Sequence, residues 1–474
     1  MHGADKVSLN RALHVFFLTK VKYTMLDNIK IIRSSVCALA FILVCHTVMA
    51  NPPPGAKTVK VAAQNGKFHL TVNGAPYQIN GVGLGYQDGE RIKALKAGGG
   101  NTFRTWDVRH LDEALALAAE LDIMVAVGLE TGKELQGFNY DDPAAVLAQY
   151  QKMTGIIDKY KDHANVLLWI IANEPNLLFD DKGQSIVANP KVYDALGNIS
   201  DYIQQNDGNH PVTVALAGAD KQTIHTLLEH APHIDIISVQ LYGDLSSLPQ
   251  AIRNADVNKP FMVTEFGPMG HWEVATTSWQ REIEEPSGIK ATGMAQRMQS
   301  SIIDDPTGQV IGGFAFLWGQ KQERTPTWYG MFNVTGEHDA RVDELTKIWT
   351  GKYPENRAPL ANAIFIDGQI PADSVKLKPG QLATAKVMVS DPEQDPLTTR
   401  WEFMREVGQR SQGGHFEAVP PALPVTIKRS TQQNTQVEIE FLAPKSVGEY
   451  RLFAYTFDGH KHVANANIPF MVVK

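Results

Sequence analysis

Two glutamates of this sequence stand near the ends of short apolar segments. Residues 166–178 read "VLLWIIANEPNLL", in which Glu174 closes an almost unbroken apolar run, and residues 259–268 read "KPFMVTEFGP", which carries Glu265. The first run is rich in Val, Ile and Leu and is ended by a proline, which is typical of a parallel strand covered on both faces. Hydrolysis of a glycosidic bond requires two carboxyl groups in different surroundings, of which one protonates the leaving oxygen while the other attacks the sugar or activates water. The pair could perform that chemistry if the fold brings the two strand ends together.

Strand-like apolar runs and amphipathic helical stretches alternate along most of the chain. The strand-like runs lie at 77–85, 101–107, 123–130, 166–175, 211–218, 234–243, 259–268 and 310–319. Helical patterns between them include 110–122, 142–163 and 220–230. Eight strands, each followed by a helix, predict an α/β fold of the (β/α)8 TIM barrel type. The alternative, an open dinucleotide-binding sheet, fits poorly because "GVGLGYQDG" at 81–89 does not fit its phosphate-binding pattern G-x-G-x-x-G.

In such a barrel the polar residues at the carboxyl ends of the strands converge on one face. The strand-end residues are Arg104, Asp107, Glu130, Asn173, Glu174, Gln240, Tyr242, Glu265, Trp318 and Gln320. We therefore expect the candidate site to be built from these side chains.

The two ends of the chain differ in character from this alternating region. Residues 1–50 contain an apolar run behind basic residues and are predicted to be a signal peptide, with Met25 as an alternative start. A membrane anchor is disfavoured because the apolar run is shorter than the roughly 20 residues that a span needs. A Pro-rich linker, 51–58, precedes the barrel domain, 59–352, which begins with a hairpin marked by two Asn-Gly pairs. After a second linker, 353–362, short alternating runs predict a β-sandwich domain of the immunoglobulin-like kind over 363–474.

Charge and cysteine content exclude several classes of partner. Without residues 1–50 the chain has 38 basic and 49 acidic side chains, a net charge of −11, and it contains no cysteine. An acidic surface argues against nucleic acid and anionic membranes as partners. With the signal peptide, the composition predicts a periplasmic or secreted bacterial enzyme without disulfides, a thiol nucleophile or a cofactor.

The motifs around the two glutamates resemble those of a known group of enzymes. "ANEP" at the fourth strand and "TEFG" at the seventh are similar to the acid/base and nucleophile motifs of the clan A glycoside hydrolases, retaining barrel enzymes that include families 2 and 5. The resemblance covers about residues 66–350. It implies that Glu174 is the general acid/base, that Glu265 is the nucleophile, and that Asn173 holds the sugar 2-hydroxyl.

The same resemblance gives roles to three further residues. Arg104 resembles the arginine beside the nucleophile, Tyr242 the tyrosine that hydrogen-bonds it, and Trp318 the aromatic floor beneath the sugar. The pattern departs at Gln240, where family 5 members usually carry His and family 2 members often Asn. The segment "FHLTVNGAPYQINGVGLG" is nearer to the start of the family 2 barrel and to β-1,3-glucan-remodelling enzymes than to cellulases.

Several alternatives stay open on the sequence alone. Asp107 and Glu130 are either substrate contacts or structural partners of a nearby Arg, and His271 with Trp272 is either a sugar subsite or a packed loop. The acidic stretch 391–395 is either a solvated turn or a calcium site, to which Asp458 adds a carboxylate. The function that these observations predict is retaining hydrolysis of β-linked polysaccharides or oligosaccharides. A transglycosylase acting on β-glucan and a non-catalytic glycan-binding barrel are the alternatives.

Overall fold

A computed structural model describes residues 55–85, 89–411, 414–433 and 435–474 of the chain. The predicted signal peptide, 1–50, lies outside the described residues. The first elements form a three-stranded antiparallel sheet of β1 (Val59–Gln64), β2 (Lys67–Val72) and β3 (Ala75–Tyr77). Asn65, Gly66, Asn73 and Gly74 all have positive φ in the two turns between these strands, the backbone conformation that Asn-Gly pairs favour.

Eight parallel strands then close into a barrel, in which the last strand pairs with the first. They are β4 (Ile79–Gly83), β5 (Thr102–Arg104), β6 (Met124–Gly128), β7 (Val166–Asn173), β8 (Val212–Ala217), β9 (Ile236–Gln240), β10 (Phe261–Phe266) and β11 (Val310–Ala315). The helices that follow them in turn are α1 (Gly89–Ala97), α2 (Leu111–Leu121), α3 (Pro143–Tyr160), α4 (Pro190–Asn206), α5 (Lys221–His230), α6 (Leu248–Ala255), α7 (Ser287–Met298) and α8 (Ala340–Thr350). The predicted (β/α)8 barrel is confirmed, and the open dinucleotide-binding sheet is excluded.

Apolar packing closes the end of the barrel opposite the candidate site. Met124, Leu168 and Phe314 belong to one buried cluster, which Val59 and Leu70 of the N-terminal sheet join. The backbone of that sheet bonds to residues just before β8 and β11, with Val59 N donating to Asn209 O at 2.7 Å. The amino ends of the strands are therefore covered, and the carboxyl ends remain for the site.

The C-terminal region is a sandwich of two sheets. Its strands are β12 (Leu360–Ile366), β13 (Lys376–Leu377), β14 (Leu382–Ser390), β15 (Thr398–Arg405), β16 (Ala422–Pro424), β17 (Thr426–Gln433), β18 (Gln436–Leu442), β19 (Gly448–Phe457) and β20 (Val463–Val472). One sheet has the order β12-β14-β18-β17 and the other β13-β20-β19-β15-β16. Buried and partly exposed residues alternate along β14, as expected of a strand with one face on the sandwich core. The predicted β-sandwich is confirmed.

The barrel and the sandwich meet through buried polar groups. At the start of α7, Ser287 Oγ accepts a hydrogen bond of 3.0 Å from the backbone N of Asn465 in β20. Beside it, Glu284 is fully buried between Lys290 Nζ at 2.5 Å and Asn467 Nδ2 at 2.6 Å. Because buried polar groups are costly unless paired, this geometry specifies one arrangement of the two domains.

Among the described residues, no helix combines the length and the apolar character needed to cross a membrane.

Candidate active site

Three donors hold Glu265 of β10: Arg104 and Trp106 come from the end of β5, and Tyr242 follows β9. Trp106 Nε1 donates to Glu265 Oε1 at 2.8 Å, Arg104 Nη1 lies 3.3 Å from the same oxygen, and Tyr242 Oη donates to Oε2 at 2.9 Å. Only 7% of the Glu265 side chain is exposed. Both oxygens accept from donors, and this pattern suits an ionised carboxylate, which is an acceptor only.

Hydrogen bonds also fix the orientation of the Asn173 amide at the end of β7. Asn173 Oδ1 accepts from Arg104 Nη2 at 2.8 Å and from Gln240 Nε2 at 2.7 Å. With two donors on Oδ1, the Asn173 NH2 group must point the other way, and it makes no hydrogen bond within the described residues. Gln240 is buried, and its Oε1 has no partner in the same part of the chain. The Asn173 NH2 group and the Gln240 Oε1 are thus a donor and an acceptor without partners among the described residues.

Glu174 follows Asn173 in an unusual backbone conformation. Its φ is 53°, in the left-handed region that residues other than glycine rarely adopt. The conformation is held by Glu174 N donating to Ala215 O at 2.7 Å and by Leu177 N donating to Glu174 O at 3.1 Å. Its side chain is 18% exposed, which makes it more accessible than Glu265.

The electrostatic surroundings of Glu174 favour its protonated form. Burial and then the negative charge of Glu265 raise the pKa of Glu174 to about 7. The positive charge of Lys133, whose Nζ lies 3.9 Å from Glu174 Oε2, opposes this rise. The two carboxyl groups therefore have different surroundings: Glu265 is held by donors, whereas Glu174 carries a proton below about pH 7.

Irregular strand pairing accompanies both glutamates. The register of β7 against β8 shifts between Ile170 and Asn173, and that of β10 against β9 shifts between Val263 and Glu265. Such irregularities re-aim the side chains that follow them and recur next to active sites.

Aromatic rings form a wall beside Glu265. The ring of Tyr242 meets Trp272, Tyr329 and Phe316 edge-on, with centroids 5.4, 5.5 and 6.0 Å apart. Burial and the charge of Glu265 raise the pKa of Tyr242 well above its ordinary value, so its hydroxyl remains a donor at working pH. Trp272 is 60% exposed, which leaves its indole available to a ligand.

Trp318 does not lie where the sequence predicted. The residue has no exposed surface, its Nε1 donates to Arg91 O at 2.8 Å, and its ring packs 5.2 Å from Phe332 and 6.3 Å from Trp349. A ring buried in this way cannot touch a substrate, so the expected aromatic floor at Trp318 is wrong. Phe316 is the ring at this strand end that joins the wall, 5.7 Å from Trp106.

Two predicted acids stand apart from the Glu265 hydrogen-bond network. Asp107 accepts from Arg109 N at 2.8 Å and from Arg109 Nη2 at 2.6 Å, which makes it a structural partner of that arginine. Although burial opposes the change, these bonds lower the pKa of Asp107. Glu130 is exposed at the end of β6, so a role of either residue in substrate contact stays a prediction.

Besides Phe316 and Tyr329 of the aromatic wall, four residues that the structure brings to the site were missed in the sequence. Trp106 follows Arg104 by two positions and so shares its face of the strand, a signal that "TFRTW" carried. The other three lie in loops: Lys133 follows β6, and Lys321 and Glu323 follow β11. In a loop, the spacing of residues in the sequence does not indicate which way a side chain points. Although burial opposes the change, hydrogen bonding to His271 and the charge of Lys321 hold the pKa of Glu323 at about 2, so it is ionised near neutral pH.

The acidic stretch 391–395 does meet the carboxylate at 458. Oxygens of Asp391, Asp395 and Asp458 lie within 4.8 Å of one another. Asp458 is engaged by His462 Nδ1 at 2.6 Å, and Asp395 by Asn356 Nδ2 at 2.5 Å. The choice between an acidic turn and a calcium site stays a prediction.

Comparisons with known proteins give structural likeness only. No family model and no curated protein matches the chain. Among solved structures, Bacteroides uniformis beta-glucuronidase 2 is 12% identical, with coverage of 88% of this chain and 48% of that chain and a TM-score of 0.48. A Ruminococcus gnavus beta-glucuronidase is 16% identical, with coverage of 62% and 52% and a TM-score of 0.47. The Lactobacillus rhamnosus beta-glucuronidase is 17% identical, with coverage of 62% and 52% and a TM-score of 0.46. The chain spans about half the length of these structures, and matches at this level do not identify its family or activity.

Proposed function

We propose that the chain is a retaining glycoside hydrolase that cleaves β-linked glycans with Glu265 as nucleophile and Glu174 as general acid/base. The observation that carries the proposal is the contrast between the two carboxyl groups. Glu265 accepts hydrogen bonds from Trp106 and Tyr242 and lies beside the guanidinium of Arg104. Burial and the neighbouring charge of Glu265 raise the pKa of Glu174 to about 7. This division is what a nucleophile and a proton donor need.

In the first half of the proposed reaction, a Glu265 oxygen attacks the anomeric carbon while the bond to the leaving oxygen breaks. The proton of Glu174 passes to that leaving oxygen, so the aglycone departs as a neutral alcohol and a glycosyl ester forms on Glu265. The NH2 of Asn173, fixed by the two bonds to its Oδ1, is the group we assign to the sugar 2-hydroxyl.

In the second half, the charge that raised the pKa of Glu174 has been consumed in the ester bond. Glu174 is therefore ionised and takes a proton from a water molecule, whose oxygen attacks the anomeric carbon and releases Glu265 as a carboxylate. The product keeps the β configuration because the anomeric carbon is inverted twice.

The proposal is tested with a panel of aryl β-glycosides and oligosaccharides and with variants of the two glutamates. Glu265→Ala should lose hydrolysis and regain turnover with azide, which attacks from the side that the nucleophile vacated. Glu174→Ala should keep its kcat/KM on aryl glycosides whose leaving group needs no proton, while its kcat falls because the second step has lost its base. An identical response of both variants to leaving-group acidity would contradict the roles assigned here.

The same experiment distinguishes hydrolysis from the two alternatives, glycosyl transfer and glycan binding without catalysis. Products longer than the substrate would show glycosyl transfer, because both reactions share the ester and differ in the acceptor that takes the sugar. If oligosaccharides bind to the chain but are not cleaved under any of the conditions, the result would support the non-catalytic glycan-binding barrel. Proton NMR of the first product formed distinguishes retention from inversion.

A further inference from the structure

The loop after β11 carries two charged residues to the candidate site. Lys321 Nζ lies 5.6 Å from the centre of the Phe316 ring and 2.5 Å from Glu323 Oε2. Glu323 Oε1 lies 3.5 Å from His271 Nε2, and the His271 ring is edge-on to Trp272 at 4.9 Å. Lys321 and Glu323 therefore stand against the aromatic wall that surrounds Glu265.

A buried carboxylate of the sandwich domain, Glu417, forms hydrogen bonds with this loop. Glu417 lies in the connection between β15 and β16, and its side chain has no exposed surface. Its Oε1 accepts from Gln322 Nε2 at 3.0 Å and from Arg324 N at 2.7 Å. Its Oε2 lies 3.3 Å from Arg324 Nη1 and accepts from Ser411 N at 2.9 Å. Glu417 thus bonds to the residues on both sides of Glu323.

The loop backbone needs such support. Arg324 has φ of 61°, in the left-handed region, which costs free energy for a residue with a side chain. Its guanidinium is fastened at 3.1 Å to Glu282 and at 2.8 Å to the backbone O of Ser411. Glu417 is the only one of these groups that also accepts from the Arg324 backbone N, so it acts on the strained position itself.

We propose that Glu417, although it belongs to the C-terminal sandwich, is a positioning residue for the barrel's active site, because it holds the 321–324 loop so that Glu323 and Lys321 stay at the aromatic wall beside Glu265. The inference rests on the proposed function for the role of Glu174 and adds a task for the sandwich. It gives the second domain a direct part in the chemistry of the first.

The charged and titratable groups around Glu174 give the expected direction of the effect. They come from β5 (Arg104), the loop after β6 (Lys133), the end of β9 (Tyr242), β10 (Glu265) and the loop after β11 (Lys321 and Glu323). Glu323 raises the pKa of Glu174 more than Lys321 lowers it. Release of the loop should therefore lower the pKa of Glu174.

The test compares Glu417→Gln and Glu417→Ala with the unaltered full-length chain. The pKa of Glu174 is measured by carbon-13 NMR titration of labelled glutamate carboxyls, with the resonance assigned by its loss in Glu174→Gln. We expect a decrease in Glu417→Ala, and a smaller decrease in Glu417→Gln, which keeps one acceptor oxygen. Where the chain hydrolyses a glycoside, the alkaline limb of its kcat/KM profile should move by the same amount.

Glu406→Gln is the matched control. Glu406 is a carboxylate of the same connection, 4% exposed in its side chain, but it bonds to Arg451 of β19 at 3.0 Å. This variant should leave the pKa of Glu174 unchanged, whereas Glu323→Gln, which removes the charge that raises this pKa and leaves Lys321 in place, should lower it by more than Glu417→Ala does. Thermal unfolding identifies any variant that does not fold, and Glu417→Gln, which keeps the size of the side chain, serves if Glu417→Ala fails.

An unchanged pKa of Glu174 in a folded Glu417 variant would overturn the proposal, and so would an equal change in Glu406→Gln. The NMR measurement does not depend on catalysis. If no glycoside is cleaved, the proposed function fails while the link between Glu417 and Glu174 is still measured. If glycosides are cleaved but the pKa does not respond, only the role of Glu417 is refuted.

Discussion

At the scale of single residues, Arg104 ties the two halves of the candidate site together. It is fully buried, and its planar guanidinium reaches Asn173 Oδ1 with Nη2 and both Glu265 Oε1 and the Thr264 backbone O with Nη1. The rigid geometry of the fork fixes the separation between the ends of β7 and β10. A single side chain thus sets the distance between Asn173 and Glu265, the two residues to which the proposed function assigns the sugar 2-hydroxyl and the nucleophilic attack.

Trp106 offers the first prediction at this scale. Trp106→Phe removes the donor to Glu265 Oε1 but keeps a ring against Phe316. A hydrogen bond to a charged group is worth about 1.5–3 kcal/mol, so kcat/KM for an aryl glycoside should fall roughly ten- to a hundredfold. Trp349→Phe is the control, because Trp349 Nε1 is buried without a partner among the described residues. Equal losses in both variants would show that ring size, and not the hydrogen bond, is responsible.

The second prediction concerns pH. The pKa of Glu174 stands at about 7, so the acid is protonated below that pH and kcat/KM should fall as pH rises through it. Lys133 lowers this pKa, so Lys133→Met should move the alkaline limb upwards by roughly 0.3 to 1 pH unit, whereas Lys133→Arg should leave it in place. A limb that moves downwards in Lys133→Met would mean that it does not report Glu174.

At the scale of elements, the strand ends were the most predictable part of the molecule. Each buried run was confirmed as a barrel strand, and Asn173 and Glu265 lie at the ends of β7 and β10, as the apolar-to-polar transitions indicated. The prediction for Trp318 was wrong because the periodicity of a sequence indicates which face of a strand a residue lies on, but not how the chain turns after the strand ends. Beyond Ala315 the chain leaves the strand, and Phe316 and Trp318 go to different sides, one to the wall and one to the core.

The prediction at the scale of elements concerns Gly128, the glycine at the end of β6. A Cβ on Gly128 would lie 2.1 Å from the backbone O of Thr105, between Arg104 and Trp106. Gly128→Ala must therefore displace the segment that carries both donors to Glu265, and kcat/KM should fall at least about tenfold. Gly155→Ala, in an open position on α3, is the control. It should keep full activity and stabilise the fold by about 0.5–1 kcal/mol, as measured by urea unfolding. Full activity of Gly128→Ala would show that the β5 end tolerates movement.

At the scale of the whole molecule, the contact between barrel and sandwich lay beyond sequence reasoning. Glu417 and Arg324 are about 90 residues apart, and Glu284 and Asn467 more than 180. Neither pair has a periodic pattern, since both sit in loops or at domain surfaces where charge alone suggests exposure. The sequence could predict two domains but not that a buried ion pair and a buried hydrogen bond would join them.

The last prediction uses a histidine at this contact. His338 lies in the loop before α8, and its ring is tilted against that of His462 of the sandwich, with the ring centroids 4.5 Å apart. Burial and then the charge of His462 lower the pKa of His338 to about 4, while Asp339 and Asp458 oppose the change. In the unfolded chain the same ring has a pKa near 6.5. Between about pH 6.5 and pH 4 the ring therefore binds a proton in the unfolded chain but not in the folded chain. The free energy of unfolding is not reduced by His338 above pH 6.5, and it decreases as the pH falls towards 4.

Urea unfolding at pH 7 and pH 5 measures this loss. Between pH 7 and pH 5, His338 should account for about 1 to 2 kcal/mol of the decrease in the free energy of unfolding. The free energy of unfolding of His338→Gln should therefore decrease by that much less over the same pH range. His233→Gln, whose ring is 64% exposed and bonds to Asp201, should behave like the unaltered chain. Because His338 and His462 join the two domains through a backbone bridge as well, domain separation at acid pH should follow the same curve. An unchanged pH dependence in His338→Gln would show that protonation at this contact does not destabilise the molecule.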